Sequence, residues 1–429
     1  MSTRPGALLI MTELKMIIRH LRIVEYAREL GLVPVMVFSR ADDLGRLREL
    51  AADPGHALSG LGELWPVPDV SVSAVLGSVP SLTDRYRVRG VISCGEYFVE
   101  AAAALAEALG RPGPGWSAAA SSRNKLLQRC RLPEHSPRWR LIHPSARATV
   151  ADLDWDWGGT LVVKPTGRMS SSGVREVAAP DELAGVVGDY PAGETLLVEH
   201  RVVGPEYSVE SLVADGVLRW SGITAKRTNE GGTTFVEMSH LVPAPGLPAA
   251  RAEELVRVNA EVLRRLGVRD AVTHAEYRCA GAGAVLMEVA VRVPGDGISV
   301  LWTLATGSSF EDRIVDVALG REVSYPRPVR RAGHVYLDHP IGTLVDVHGG
   351  DVPVSWTTRD ERWPRLRVAS PDAPPRRCAV LVSKLPGARL GHIVDSDART
   401  ASVLLDAPLG ADIDAAARAA GTGVRIVVS

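Results

Sequence analysis

The sequence predicts a protein of mixed α/β and α+β class: an open α/β domain over 1–116, a β-rich region over 117–330 and a mixed α/β domain over 331–429. Three observations carry this prediction. A βαβ pattern opens the chain. A run of short apolar strands with tight turns fills about 160 to 224, and a long amphipathic helix leads into a polar-faced hairpin between about 252 and 291. With 429 residues, of which 46% are hydrophobic, there is material for about three cores.

Taken in order, Ala7 to Met11 reads as a strand, Ile17 to Leu30 as an amphipathic helix closed by Gly31, and Val33 to Phe38 as the next strand. Val88 to Ser93 is a further strand, and a helix from Tyr97 to Leu109 ends at Gly110. No GxGxxG follows the first strand, which excludes a dinucleotide fingerprint there. Beyond the Pro/Gly-rich hinge Gly110 to Gly115, Ser121 or Ser122 is expected to cap a helix carrying Arg123-Asn124-Lys125. Strands are expected at Thr160 to Lys164, Val174 to Val177, Thr195 to Glu199, Tyr207 to Ala214 and Val217 to Thr224. A lid subdomain would cover about 150–200. A helix from Ala252 to Leu266, stopped by Gly267, precedes strands Val272 to Cys279 and Val285 to Val291, and Val424 to Val428 is the last strand.

Charge narrows the function classes. Lys+Arg 49 against Asp+Glu 50 leaves a net charge of -1, too balanced for a broad nucleic-acid or lipid surface. Only five of the basic residues are lysines: Lys15, Lys125, Lys164, Lys226 and Lys384. The four cysteines lie far apart with no CxxC pair, so a reducing cytoplasm is the expected compartment. The apolar run Ala7 to Met11 is too short for a signal segment. No later stretch has the 18 uncharged apolar residues of a membrane span.

The hairpin is the most informative local feature. A turn centred on Ala282 places Glu276 directly opposite Glu288, with Cβ atoms about 5 Å apart. Like charges so placed need a neutralising partner, and magnesium suits carboxylate oxygens. Period-2 alternation sets His274, Arg278 and Arg292 on the same face. A solvated sheet face with incidental charges gives the same pattern.

Two further segments qualify. Lys164 ends an apolar strand and is followed by a loop containing Ser170-Ser171-Ser172-Gly173. A cation and backbone N–H groups could there surround phosphate oxygens, although a solvated hairpin loop fits equally well. The strand Leu196 to Glu199 exits through His200 and Arg201 to Glu206. It could offer backbone groups to a purine and a carboxylate to a ribose, or be an ordinary strand and turn.

Together these pieces, from Arg123 to Leu319, resemble the ATP-grasp superfamily of carboxylate-amine ligases. The carriers are Lys125, Lys164 with its Gly/Ser loop, Glu199 with Glu206, Lys226, Glu237-Met-Ser-His240, His274-Ala-Glu276 and Glu288-Val-Ala-Val-Arg292. Ala290 stands where many members carry Asn, with water or phosphate oxygens to fill the gap. The pattern is similar to the bacilysin-type L-amino acid ligases and the carnosine-synthase group.

The resemblance implies an ATP-grasp fold with an N-terminal α/β partner domain, ATP with two magnesium ions (or manganese), and small-molecule carboxylate and amine substrates. It leaves a homodimer open. The implied reaction joins an amino acid to an amine through an acyl phosphate. The implied alternatives are carboxylase-type or phosphotransfer chemistry, or nucleotide binding without catalysis.

The implied roles follow residue by residue. Lys125 and Lys164 hold phosphates beside Ser170, Ser171 and Ser172. Glu199 and His200 form the adenine hinge, Glu206 binds ribose, and Lys226 reaches the γ-phosphate. Glu276 and Glu288 bind metal, and Arg292 stabilises the transferring phosphoryl group and the acyl oxyanion. Glu237 and His240 contact the ammonium and carboxylate of the acyl donor. Asp296 is expected to favour a polar or cationic donor, and Thr228 to Thr234 to form a lid over the site.

Overall fold

The N-terminal apolar segments become strands β1 (Gly6–Met11), β2 (Val33–Ser39), β3 (Glu63–Val67) and β4 (Arg87–Ser93). They form a parallel sheet in the order β3-β2-β1-β4. In this computed structural model residues 4–153, 155, 157–229, 234–281 and 283–429 are described. The hairpin centre Ala282 and residues 230–233 of the expected lid loop lie outside the described residues.

The helix expected over Ile17 to Leu30 is broken into Leu14–Ile17 and Leu21–Glu29. The break falls at His20, whose buried ring sits 3.2 Å from the Glu311 carboxylate of a neighbouring helix, Phe310–Ala318. A Cβ on Gly90 of β4 would lie 2.7 Å from the Ala318 carbonyl oxygen, so glycine lets that helix end close against the sheet.

After the hinge the expected single helix is again two, Trp116–Ser122 and Lys125–Arg131. Asn124, in extended conformation, accepts hydrogen bonds from the Leu126 and Leu127 N–H groups at 2.9 and 3.2 Å. The cap is therefore Asn124 rather than Ser121 or Ser122, because its side-chain oxygen satisfies the orphan donors of the second helix.

A small antiparallel sheet follows, built from β5 (Trp139–Ile142), β6 (Leu161–Pro165), β7 (Arg175–Val177) and β8 (Leu196–His200) in the order β5-β8-β6-β7. The central sheet begins with β9 (Glu206–Ala214), β10 (Val217–Thr228), β11 (Glu237–Val242), β12 (Ala271–Ala280) and β13 (Gly283–Ala290). It continues with β14 (Arg330–Leu337). Strands β15 (Gly342–His348), β16 (Val354–Trp356), β17 (Arg376–Val382), β18 (Arg389–Leu390), β19 (Ala401–Pro408) and β20 (Arg425–Val428) complete the chain.

The nine-stranded order is β13-β12-β9-β10-β11-β14-β19-β17-β16, while β18, β15 and β20 form a separate small sheet. Because β14 pairs with β11, the 330/331 boundary falls inside this sheet.

The helix Ala249–Leu266 buries Leu255, Val258, Val262 and Leu266 against one face of the central sheet, where Val209, Val213, Ala275 and Tyr277 meet it. It stops at Gly267 with φ 74, the left-handed ending that glycine adopts at low cost. With alternate residues of β9 and β12 committed to that core, the residues between them face the other way. No helix among the described residues is long and apolar enough to cross a membrane.

Candidate active site

The opposite face of the central sheet carries polar residues in register. Arg278 of β12 pairs with Glu206 of β9, Glu276 with Ser208, and His274 with Glu210. Across β10, Glu206 meets Lys226, Ser208 meets Thr224 and Glu210 meets Gly222; His240 of β11 lies beside Lys226. Glycine at position 222 makes room, since a Cβ there would come within 2.4 Å of the Trp302 ring. Trp302 uses that space to donate its indole N–H to Glu210 at 3.2 Å.

Glu276 and Glu288 stand opposite each other, as expected, but the hairpin is not symmetric about Ala282. A bulge beside Glu276 shifts Tyr277 onto Leu286 and Ala280 onto Gly283, and the extra residue on β13 is absorbed there. Each carboxylate already holds an ammonium: Lys226 Nζ lies 2.5 Å from Glu276, and Lys125 Nζ 3.0 Å from Glu288.

Lys226 is surrounded by Glu206, Glu237 and Glu276, whose oxygens lie within 4.8 Å of one another. Burial opposes its charge, but the three carboxylates outweigh that and raise its pKa well above the usual value. Lys226 therefore lines the cavity with its ammonium directed to carboxylates.

Lys164, on β6, is buried with its Nζ 2.7 Å from Glu199. Burial lowers its pKa to about 8 despite that carboxylate, and the nearby Arg129 contributes in the same direction. Arg129, wholly buried, donates to the other Glu199 oxygen at 2.7 Å. The Glu199 carboxylate thus serves two cations rather than standing free in the cavity. Lys125 also donates to the Arg168 carbonyl at 2.6 Å, tying the second helix after the hinge to the Gly/Ser loop. In that loop Ser170 and Ser171 both adopt left-handed backbone, φ 59 and 56. Such conformations cost of order 1–3 kcal/mol each in non-glycine residues and cluster at functional loops.

Besides Arg129, three partners lay outside the sequence reading. Glu210 is fully buried and accepts from Ser208, Thr224, Trp302 and His274. Burial disfavours the His274 imidazolium, yet Glu210 and Glu276 on either side raise its pKa to about 9. Glu96, at the end of β4, binds both Arg292 and Arg123, the latter at 2.8 Å. Although burial opposes its ionisation, these two guanidinium groups lower its pKa to about 2. Arg399 makes a bidentate pair with Asp296 at 2.8 and 3.0 Å. Only Glu96 carried a sequence signal, the Cys94-Gly95-Glu96 turn at a strand's C-terminal end. The other two acquire their role through non-local packing.

Asp296 itself has φ 56, and its carbonyl accepts from His334 Nδ1 at 2.5 Å. The negative charge expected to favour a cationic donor is therefore matched by Arg399. His240 is buried and neutral, since burial lowers its pKa to about 4, and its Nδ1 has no hydrogen-bond partner among the described residues. Glu237 pairs with Lys226 at 3.0 Å and accepts from Ser396 at 3.2 Å.

A cavity of about 660 Å³ lies between the small sheet, the central sheet and the N-terminal domain. Every candidate named from the sequence lines it, Ser172, His200 and Arg292 included. Its size falls within the range of small-molecule and cofactor sites.

The fold is that of ATP-grasp structures, and residues 158–300, a third of the chain, match the family model described as "ATP-grasp domain". The chain is 28% identical to the "Uncharacterized protein y4rH" of Sinorhizobium fredii over 314 residues, covering 70% of this chain and 61% of that protein. It is 31% identical to the "ATP-grasp enzyme fsqD" of Aspergillus fumigatus over 130 residues, 28% of this chain and 22% of that one. The matches thus span less than two thirds of either relative's length. Among solved structures, the L-amino acid ligase of Bacillus licheniformis superposes with a TM-score of 0.77 at 22% identity, covering 100% of both chains. At that identity the likeness is one of fold.

Proposed function

We propose that the protein is an ATP-dependent ligase that joins a carboxylate to an amine through an acyl phosphate, with an amino acid as acyl donor. The observation that carries this reading is one cavity holding Lys125 and Lys164 beside the Gly/Ser loop, the opposed Glu276 and Glu288, and Arg292 with neutral His240. The Bacillus structure, described as an L-amino acid ligase, supports the same reading.

A carboxylate at neutral pH is a poor electrophile, so its oxygen must first attack the γ-phosphorus of ATP, with ADP leaving. The amine nitrogen then attacks the acyl carbon, and phosphate leaves. Lys125 and Lys164 would hold the phosphates. Glu276 and Glu288 fit a hard divalent cation by their oxygen donors and opposed placement, and such an ion would neutralise phosphate charge. Glu96 and Val293 orient Arg292 so that its remaining N–H groups can meet an oxyanion. Neutral His240 can donate one N–H to the same oxygen without bringing a charge, and Glu237 would accept the donor's ammonium.

A pairwise screen of amino acids and amines, read by ADP release and product mass, tests the proposal. Amine-dependent ADP release with a product one water lighter than the two substrates is expected. Release that needs bicarbonate and no amine would replace this reading with a carboxylase-type reaction.

A further inference from the structure

We propose that a second, smaller cavity beside Asp296 binds an anionic group, a carboxylate carried on the side chain of the acyl donor. This inference rests on the ligase reading above and specifies its substrate. The cavity has a volume of about 90 Å³ and shares Lys15, Arg19, Asp296, Ser396, Asp397 and Arg399 with the large one. A side chain held near Asp296 can therefore enter it. A single water needs roughly 10–15 Å³ on this measure, so a carboxylate fits.

The charges in its wall do not balance. Four cations line it, Lys15, Arg19, Lys384 and Arg399, against two carboxylates, Asp296 and Asp397. Asp296 is taken by the bidentate Arg399, and Asp397 lies 2.7 Å from Lys15. Arg19 has one ion pair, a long one of 4.0 Å to the same Asp296, and its guanidinium rests 5.8 Å from the Trp363 ring centre. Lys384 makes no ion pair among the described residues. His334 and Tyr336 in the wall add no compensating negative charge, because burial keeps both neutral.

Arg19, with only that long contact to an Asp296 already taken by Arg399, and Lys384, with no ion pair among the described residues, thus leave the wall with an excess of positive charge. A cationic side chain entering here would be repelled, and a neutral one would leave the excess positive charge unmatched. A carboxylate would complete charge-assisted hydrogen bonds with Arg19 and Lys384. The preference is the reverse of what Asp296 alone suggests, because Arg399 has already neutralised that residue.

The test uses near-isosteric pairs that differ in charge. Binding of L-aspartate against L-asparagine, and of L-glutamate against L-glutamine, is measured by calorimetry on the full chain saturated with magnesium and a non-hydrolysable ATP analogue. At least one acid is expected to bind about tenfold or more tightly than its amide. Lys384→Met should shrink that difference and Lys384→Glu should invert it, with the melting temperature unchanged. Equal affinities for acid and amide, tighter binding of L-lysine than of either acid, or an acid preference that survives in both variants would overturn the subsite. If no amine supports ADP release with any donor, the ligase reading fails, while the binding comparison still decides the subsite.

Discussion

Glu276 and Glu288 face each other across the β12–β13 hairpin, and each is held by a lysine from a different part of the chain, Lys226 and Lys125. Opposed carboxylates destabilise a hairpin by up to about 1 kcal/mol unless a cation intervenes. The two ammonium groups make the apposition tolerable while keeping oxygen donors at the cavity. Glu288→Gln should therefore leave the melting temperature within a few degrees of the parent while lowering ADP release by at least ~100-fold. A chelator should do the same reversibly. Near-normal turnover of Glu288→Gln, measured over a range of magnesium concentrations, would remove Glu288 from the proposed metal site.

Glu96 links the N-terminal domain to the site by holding Arg292 and Arg123. Its folded pKa of about 2 lies below the ordinary 4.5, so its contribution is fully present above the unfolded value and is lost as pH falls toward 2. A shift of that size corresponds to ~3 kcal/mol. Glu96→Gln should lose that stability at neutral pH and show a shallower fall in stability between pH 4.5 and 2. It should also slow turnover by loosening Arg292. Denaturant melts across pH check the first effect, and ADP release the second.

Much of this site was legible in the sequence because its elements are local. A strand-ending lysine before a Gly/Ser loop, two carboxylates on either side of a Gly/Ala turn, and a helix stopped by Gly267 all declare themselves within a few residues. The Glu276–Glu288 pairing emerged from an assumed symmetric turn only because the bulge lies beyond Glu276, on the turn side. What stayed hidden is non-local. Arg129 reaches Glu199 from 70 residues away, and Arg399 reaches Asp296 from 103. Neither separation leaves a periodic signal. The break at His20 and the true cap at Asn124 escaped because tertiary contacts and a single side-chain hydrogen bond overrode a continuous apolar pattern.

The Asp296–Arg399 pair joins the loop after β13 to the segment before β19, and Arg399 also lies 3.8 Å from the Tyr336 ring centre. Removing one partner leaves the other charge largely buried. The Asp296 side chain is 21% exposed, so the cost falls toward the low end for such pairs, ~3 kcal/mol. Asp296→Ala should lower the melting temperature, and adding Arg399→Met should restore part of it. A double-mutant cycle by denaturant unfolding measures the coupling, and additive effects would show that the pair contributes nothing.

Lys164 should make nucleotide affinity depend on pH in a defined direction. Buried beside Glu199, it has a pKa near 8 rather than 10.5, so a growing fraction loses its charge as pH rises through 8. Phosphate oxygens bind the charged form, and the binding step takes up a proton wherever the free protein has lost it. Affinity for an ATP analogue should thus be flat below about pH 7 and fall by up to about tenfold per unit well above 8. Lys164→Met should bind weakly at every pH and lose the slope. Arg129→Met, which removes a neighbouring positive charge, should shift the onset of the slope to higher pH. Titrations between pH 6.5 and 9.5 decide the matter: a parent slope that persists in Lys164→Met would assign the dependence to another group.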